Sequence, residues 1–470
     1  MVLLLAASVL TTAAWNRGAE YDEQYTLFVI SGTPRPIWPT SVFPAGDVAR
    51  VQAGHAGLAM IARDLRHTDV HPPLYFWAAS VWRWVVGDGL FAIRMLSVCC
   101  SLGALAAVGA IARRCGIQPA LAMLLTLGCY GFAYTGEIAR GFAMAQMLNL
   151  CGVASVLSGR RLLAGALLGA AVMTNYLAGF VAAAVFLSAA LTVAFVAGFL
   201  PVLSIPIWFF VAQRGSRSGQ FPPFELVPAF GRLIRYSAAN LTGGLTLYVS
   251  EAARSIVAVV LAIGLTGLAI FVLRRWRRIA TAPARLLLIA GAISPPLGVL
   301  ALGLMFDNTP IELRYLAFAT PFVALLVAGA RPGRIVLSAI LTVQAASIAG
   351  LILRPETMQP ARATAHAATE LVQDGIVLVP RGNDGIGIVG AFATEAPPTM
   401  PILVIGSDDT SDGIRRRVAR FRRVVLALVA QDAASQATLP KMRATFVHPD
   451  WREVAIGLNV IAYQRSDDGN

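Results

Sequence analysis

Residues 94–114 read RMLSVCCSLGALAAVGAIARR, eighteen uncharged and mostly apolar residues between a leading arginine and a closing arginine pair. Such a segment reads as a membrane-spanning helix, and its basic pair marks the cytoplasmic end, because arginine and lysine are retained on that side. The pattern recurs: RR at 160–161, RRWRR at 274–278 and RPGR at 331–334 each close an apolar run. Composition agrees with it. The 470 residues are 57% hydrophobic and 13% charged, with a mean hydropathy of +0.68, where a soluble protein carries about 25% charged residues. The net charge is +13, almost all from arginine, and Lys441 is the only lysine. In a soluble chain that balance would point to nucleic acid. Here the arginines lie between apolar runs, so the charge reports topology, with a lipid contact for RRWRR as the lesser reading. The five cysteines, Cys99, Cys100, Cys115, Cys129 and Cys151, sit in or beside apolar segments with no CxxC pair, and read as small buried hydrophobes.

With the arginine clusters inside, the spans alternate consistently. Residues 1–15 go out, although this apolar run covers only about 21 Å of helix against a hydrocarbon core of about 30 Å. It lacks the charged start of a signal peptide and reads as a first span that is short or whose true start lies upstream. Residues 16–72 form an outer loop rich in Pro, Gly and charge. Residues 94–112 come in, 119–136 go out, 141–158 return, 162–177 go out, 178–192 return and 193–212 go out. A second outer loop, 213–249, holds Pro222, Pro223 and an amphipathic stretch. Residues 253–273 come in, 285–305 go out, 315–330 come in and 335–353 go out. The Trp-rich stretch 72–88 contains Arg83 and reads as a helix lying at the interface, because a further crossing would invert everything after it.

Past residue 353 the character changes. Strand-like runs IVLVP (376–380), PILVIG (401–406), RVVLALV (423–429) and NVIAYQR (459–465) alternate with helical patterns such as ARATAHAATELVQ (361–373), the signature of an α/β layer fold. PRGNDGIGIVG (380–390) lacks the phosphate-loop spacing and reads as turn. The expected molecule is a polytopic α-helical membrane protein of about 11–13 transmembrane helices, with a domain over 1–353 and a small soluble α/β domain over 354–470 on the extracytoplasmic side.

Polar groups are costly at or within a bilayer and so mark function. Four clusters stand out, all facing outward on this topology. Asp22 and Glu23 lie in AEYDEQY (19–25). Neighbouring side chains on a helix point about 100° apart, so one acid can face a site while the other bonds locally. Partial desolvation makes an interfacial carboxylate a better base; a solvated acid pair is the plain alternative. In DVHPPLYFW (69–77), Pro72 and Pro73 fix the backbone that presents His71, which can equally be a hydrogen-bonded structural residue. In GEIARGF (136–142), Glu137 and Arg140 have i, i+3 spacing and fit either a self-satisfied ion pair on one helical face or an arginine offered to a phosphate. In FDNTPIELRYLAF (306–318), Asp307, Glu312, Arg314 and Tyr315 cluster at a helix mouth, where Arg314 can snorkel or bind an anionic headgroup. Asn175 reads as a helix–helix hydrogen-bonding group.

In order along the chain, the acid pair after the first helix, HPPLYFW, FAIRMLS (91–97) with its arginine-terminated helix, GEIARGFA and ELRYL resemble the GT-C superfamily of membrane glycosyltransferases. Bacterial members grouped with protein mannosyltransferases and the aminoarabinose transferase of lipid A are nearest. The resemblance covers roughly residues 1–330. It implies a GT-C-like fold in the bacterial inner (plasma) membrane, with the active site extracytoplasmic. It implies a polyprenyl-phosphate sugar as donor, a lipid, polysaccharide or protein acceptor, and no nucleic-acid partner. It implies Asp22 as base with Glu23 its partner, and substrate-binding roles for His71, Glu137, Arg140, Glu312, Arg314 and Tyr315. Phe142 stands where relatives more often have tyrosine. No cofactor is implied beyond the lipid-linked donor. A divalent metal stays open: His71 with Glu137 or Glu312 would be its ligands, but no ligand spacing supports a site. The alternative from another class is a transporter or lipid flippase, which would place charges mid-span and use paired broken helices. A structural or sensory protein would leave the four clusters unexplained.

Overall fold

The structure, a computed structural model, describes residues 1–189, 192–213, 223–308, 311–355 and 360–466. The chain forms two compact units, one of Met1–Asn16 with Leu65–Arg354, the other of Arg17–Asp64 with Pro355–Asn470. Residues 17–64 therefore belong with the C-terminal residues, where the sequence had suggested a loop of the helical part.

The chain opens with α1 (Val2–Asn16), then gives α2 (Tyr21–Ser31), the short strand β1 (Phe43–Pro44), α3 (Gly46–Gln52) and α4 (Leu58–Thr68). The helical unit continues with α5 (Leu74–Val86), α6 (Leu90–Arg114), α7 (Pro119–Gly128), α8 (Tyr130–Glu137), α9 (Phe142–Leu157) and α10 (Arg161–Thr174). After these come α11 (Gly179–Ala189), α12 (Val193–Ala212), α13 (Leu226–Thr242), α14 (Leu245–Tyr248) and α15 (Glu251–Arg275). It ends with α16 (Ala282–Phe306), a 3₁₀ helix at Leu313–Ala319, α17 (Thr320–Gly329) and α18 (Arg334–Leu353). Among the described residues five helices are long and apolar enough to cross a membrane: Leu90–Arg114, Val193–Ala212, Glu251–Arg278, Ala282–Phe306 and Arg334–Leu353. Val2–Asn16, Pro119–Gly128, Phe142–Leu157, Arg161–Thr174, Tyr176–Ser188 and Leu313–Gly329 are shorter apolar helices. This is the polytopic helical architecture that the arginine-bounded runs imply.

Several local expectations change. Residues 119–136 are not one helix: Cys129 turns extended (φ −68, ψ 119) between α7 and α8. The Gln344 amide of α18 donates to Leu125 O at 3.0 Å, in the last helical turn before the break. The stretch 72–88 is α5, whose 13 residues reach only about 20 Å and are too short to cross. It buries Tyr75, Phe76, Ala79, Ser80 and Arg83 and exposes Trp84 and Val85. The loop 213–249 is largely helical, with α13 burying Ala229, Leu233, Asn240 and Thr242; residues 214–222, Pro222 among them, lie outside the described residues. Asn175 leaves the helix and caps a 3₁₀ turn locally, its Oδ1 accepting from Leu177 N–H at 3.0 Å, and among the described residues this local bond stands where a helix–helix bond was expected. Small residues let α10 and α12 approach closely. A Cβ on Gly165 of α10 would strike the backbone of Phe195 in α12, and one on Gly198 would strike Leu162 in return.

The second unit adds α19 (Ala361–Val372), β2 (Ile376–Pro380), α20 (Gly387–Glu395), β3 (Pro401–Ile405), α21 (Ser411–Val418), β4 (Arg423–Ala427), α22 (Ala433–Phe446), β5 (Trp451–Gly457) and β6 (Val460–Arg465). The sheet order is β1-β3-β2-β4-β6-β5, with β3, β2 and β4 parallel and the flanking strands antiparallel. Both faces are covered, so the central strands are apolar throughout. Val377, Val379, Ile402 and Val425 face a core shared with α2, α3, α19 and α20, while Ile376, Leu378, Leu403 and Leu426 face α21 and α22. Phe28 and Val48 are buried in the first of these cores, and that burial is why 17–64 folds with this unit. The second half of the expected turn 380–390 is the start of α20. Its Gly387 and Gly390 admit α2, since a Cβ at either would meet Tyr21 or Gln24.

Candidate functional site

The acid pair sits in the first turn of α2, within the α/β unit. Glu20 is the N-cap, and the Glu23 carboxylate accepts from Glu20 N–H at 3.0 Å to complete a capping box. Glu23 is fully buried (0% exposed), and Glu20, equally buried, is paired with Arg17. The stretch is then fixed residue by residue. Tyr21 donates to Asp432 Oδ2 at 3.1 Å, Tyr25 donates to Asp384 Oδ2 at 2.8 Å, and Gln24 Oε1 accepts from Gln52 at 2.7 Å. Asp384 is also paired with Arg35. Burial, with Asp384 beside them, pushes both phenols above their ordinary pKa, so both keep their protons and act as donors. Just upstream, Glu395 accepts from Ala19 N–H at 2.6 Å and from Arg362 Nε at 2.8 Å. Asp22 stands half-buried in the first helical turn that these contacts hold. An acid near a helix N-terminus is stabilised as the anion.

In the helical unit, the turn before α5 presents His71. Gln213, at the end of α12, donates from Nε2 to Leu65 O and to His71 O, both at 2.9 Å, and pins that turn. The imidazole bridges two groups: Nδ1 lies 2.8 Å from Asp69 Oδ1 and Nε2 lies 3.0 Å from Arg140 Nη2. Asp69 is 7% exposed and Arg140 6%. Burial alone would raise the Asp69 carboxyl, but His71, Arg140 and the Val70 N–H outweigh it and hold it at about 2. Asp69 Oδ2 and Arg140 Nη1 are buried with no hydrogen-bond partner among the described residues.

Glu137 and Arg140 do not share a helical face. The last residue of α8 is Glu137, Ile138 is extended, and α9 starts at Phe142, so the i, i+3 pair inferred from spacing does not form on a helix. Glu137 is fully buried. Arg140 is instead placed by a short irregular segment in which its N–H donates to Ile138 O at 2.8 Å.

Glu312, Arg314 and Tyr315 come together at the 3₁₀ helix. Arg314 Nη2 is 2.5 Å from Glu312 Oε2, and its guanidinium lies 5.5 Å from the Tyr315 ring centre. Tyr315 in turn stacks on Phe142 at 6.3 Å, which ties this cluster to the Arg140 segment. Phe142 offers Tyr315 an aromatic face without a hydroxyl. Burial pushes the half-buried Glu312 carboxyl up to about 7, even with Arg314 alongside. Asp307 is structural: it sits in the left-handed region at φ 46 after α16 and accepts from Phe224 N–H at 3.2 Å. Thr309 and Pro310 of that motif lie outside the described residues.

The helical unit thus gathers His71 with Arg140, and Glu312 with Arg314 and Tyr315, while Asp22 and Glu23 belong to the other unit. Asp69 and Gln213 were not singled out from sequence. The D-x-H spacing before the prolines was a usable signal for Asp69; nothing local marks Gln213, which acts across 142 residues. Among the described residues no group of three or more His, Cys, Asp or Glu is arranged to hold a metal ion.

No protein-family model and no curated protein sequence matches the chain. Solved structures do match in fold. Against ArnT from Cupriavidus metallidurans bound to undecaprenyl phosphate, the TM-score is 0.53 at 13% identity, covering 99% of this chain and 98% of that one. The apo state of the same protein gives 0.49 at 13% identity over 93% and 95%, and arabinofuranosyltransferase AftD from Mycobacteria 0.41 at 14% over 98% and 41%. The fold is like that of ArnT over 99% of this chain.

Proposed function

We propose that this chain uses its GT-C-like fold as an integral-membrane glycosyltransferase of the bacterial inner membrane. It moves a hexosyl or pentosyl group from a polyprenyl-phosphate donor to an extracytoplasmic lipid, polysaccharide or protein. The observation that carries the reading is the cationic cluster of the helical unit. A buried arginine is held by an imidazole and keeps an N–H available, and a second arginine lies in the segment stacked against it. Guanidinium groups grip phosphate oxygens in pairs. The solved ArnT structure that shares this fold holds undecaprenyl phosphate, which supports a donor of that class here.

The chemistry follows from the leaving group. A sugar already carried on phosphate needs little acid assistance to depart; it needs a base for the incoming hydroxyl and cations for the outgoing anion. In this reading the acceptor O–H gives its proton to the Asp22 carboxylate as its oxygen bonds to the anomeric carbon. The bond from that carbon to the phosphate oxygen breaks with its electron pair going to the phosphate, whose charge Arg140 and Arg314 hold. Single displacement inverts the anomeric centre. Glu23 keeps α2 capped, and His71, Glu137, Glu312 and Tyr315 shape the donor site.

Transport is the rival reading. The break between α7 and α8 carries Thr126, Cys129 and Gln344 rather than charged groups, which favours the enzyme over a charged mid-span pathway. The test is sugar transfer in membrane extracts. Asp22→Asn should abolish it with the protein still folded; full activity in that variant would refute Asp22 as base.

A further inference from the structure

The Asp69–His71–Arg140 chain has a property that a simple ion pair lacks. Arginine has no acceptor, so its Nη2–H must donate to His71 Nε2; that nitrogen therefore carries a lone pair, and the ring proton sits on Nδ1, facing Asp69 Oδ1. The two neighbours together fix one tautomer of a neutral imidazole. A protonated ring would set N–H against N–H. Among the described residues Arg140 forms no ion pair of its own: Asp69 reaches it only through the ring, and Arg314 has the nearby Glu312. Burying an arginine without a direct counter-ion costs free energy, and here a buried N–H of that arginine is left over as well.

We infer that Asp69 and His71 are positioning residues that orient Arg140 with no carboxylate among the described residues touching its guanidinium, so that the N–H groups offered to an incoming phosphate are not already paired with an anion. A carboxylate in place of the imidazole would hold the guanidinium as firmly and cancel the charge that recruits the anion. The neutral ring supplies geometry alone, and Asp69, one ring further away, supplies the tautomer. The inference rests on the donor reading above and adds to it the device that keeps the phosphate-binding arginine ready.

The test is binding of a polyprenyl phosphate to the detergent-solubilised full-length protein by calorimetry, with the matching polyprenol as the uncharged control. His71→Gln keeps a neutral acceptor and should bind within about threefold of wild type, whereas His71→Glu should weaken binding about tenfold or more. The double variant Asp69→Asn/His71→Glu, which keeps a single carboxylate in the cluster, should show the same loss if the single variant folds poorly. Asp69→Ala should weaken binding about tenfold and Asp69→Asn should restore much of it, because an amide oxygen still accepts from Nδ1–H. Wild-type affinity in both His71→Glu variants overturns the inference and leaves the donor reading standing. Equal binding of polyprenol and polyprenyl phosphate to wild type overturns both.

Discussion

The two stretches that carry the candidate chemistry are built on opposite plans. In the α/β unit, the acid-bearing turn is closed: Glu20, Tyr21, Glu23, Gln24 and Tyr25 are each committed to a partner within that unit. In the helical unit, the Asp69–His71–Arg140 chain is open, with a buried donor at one end and a buried acceptor oxygen at the other still to be satisfied among the described residues. A closed network spends its polar groups on fixing backbone, and an open one keeps them for a ligand. The difference says where mutations should register: in stability for the first, in binding for the second, with Asp22 as the one member of the closed stretch assigned to chemistry.

The largest expected effect sharpens that exception. Asp22→Asn should lower turnover by about 10²–10⁴, read from transfer rates at matched protein level; unchanged turnover would remove Asp22 from the chemistry. Next, Arg140→Lys keeps the charge but loses the planar fork, and should raise the donor KM about tenfold with a smaller change in kcat, read from transfer rates at varied donor. Unchanged KM would close the open site. Asp432→Ala removes the acceptor for Tyr21, for Asn383 N–H at 2.9 Å and for Ser435 N–H at 2.8 Å, the N-cap of α22. It should cost about 2 kcal/mol of stability, seen as a lower melting temperature, and leave donor KM unaltered below it.

The smallest effect is pH dependence. The Glu312 carboxyl is raised to about 7 from an ordinary value near about 4.3, so the protonated form is the one favoured by folding. Its contribution is full below the unfolded value and is lost as pH rises through the folded one. As pH falls from 8 to 6 Glu312 loses its charge and competes less for Arg314. Polyprenyl phosphate binding should then tighten severalfold more in wild type than in Glu312→Gln, the titration of the phosphate itself being common to both. Identical pH profiles would remove Glu312 from the site. Asp69 runs the other way. Held at about 2, its stabilisation is full above the unfolded value of about 3.9 and is lost only as pH falls through the folded one, so Asp69 adds no pH dependence across that range.

Much of the fold was legible because both membranes and layered sheets impose strong patterns. The arginine-closed apolar runs marked most of the long helices, and the runs at 376–380, 401–406, 423–429 and 459–465 each contain one of the six strands. What stayed hidden depended on distant partners. β5 has a half-exposed, charge-bearing pattern that does not announce a strand, and its pairing with β6 creates it. The membership of 17–64 in the α/β unit follows from Phe28 and Val48 entering a core whose other walls lie more than 300 residues on. In the site, residue types were readable and connections were not. Spacing offered Glu137 as one possible partner of Arg140, whereas the chain breaks its helix between them and His71, 69 residues away, takes that place.

The central claim, transfer of one sugar with Asp22 as base, is tested most directly by mass analysis of cell-envelope glycans, lipids and proteins. The comparison is between cells expressing wild-type protein, cells expressing Asp22→Asn at equal level, and cells lacking the gene. One added sugar mass should appear with wild type and be missing from the other two. The same addition in Asp22→Asn cells would contradict the account.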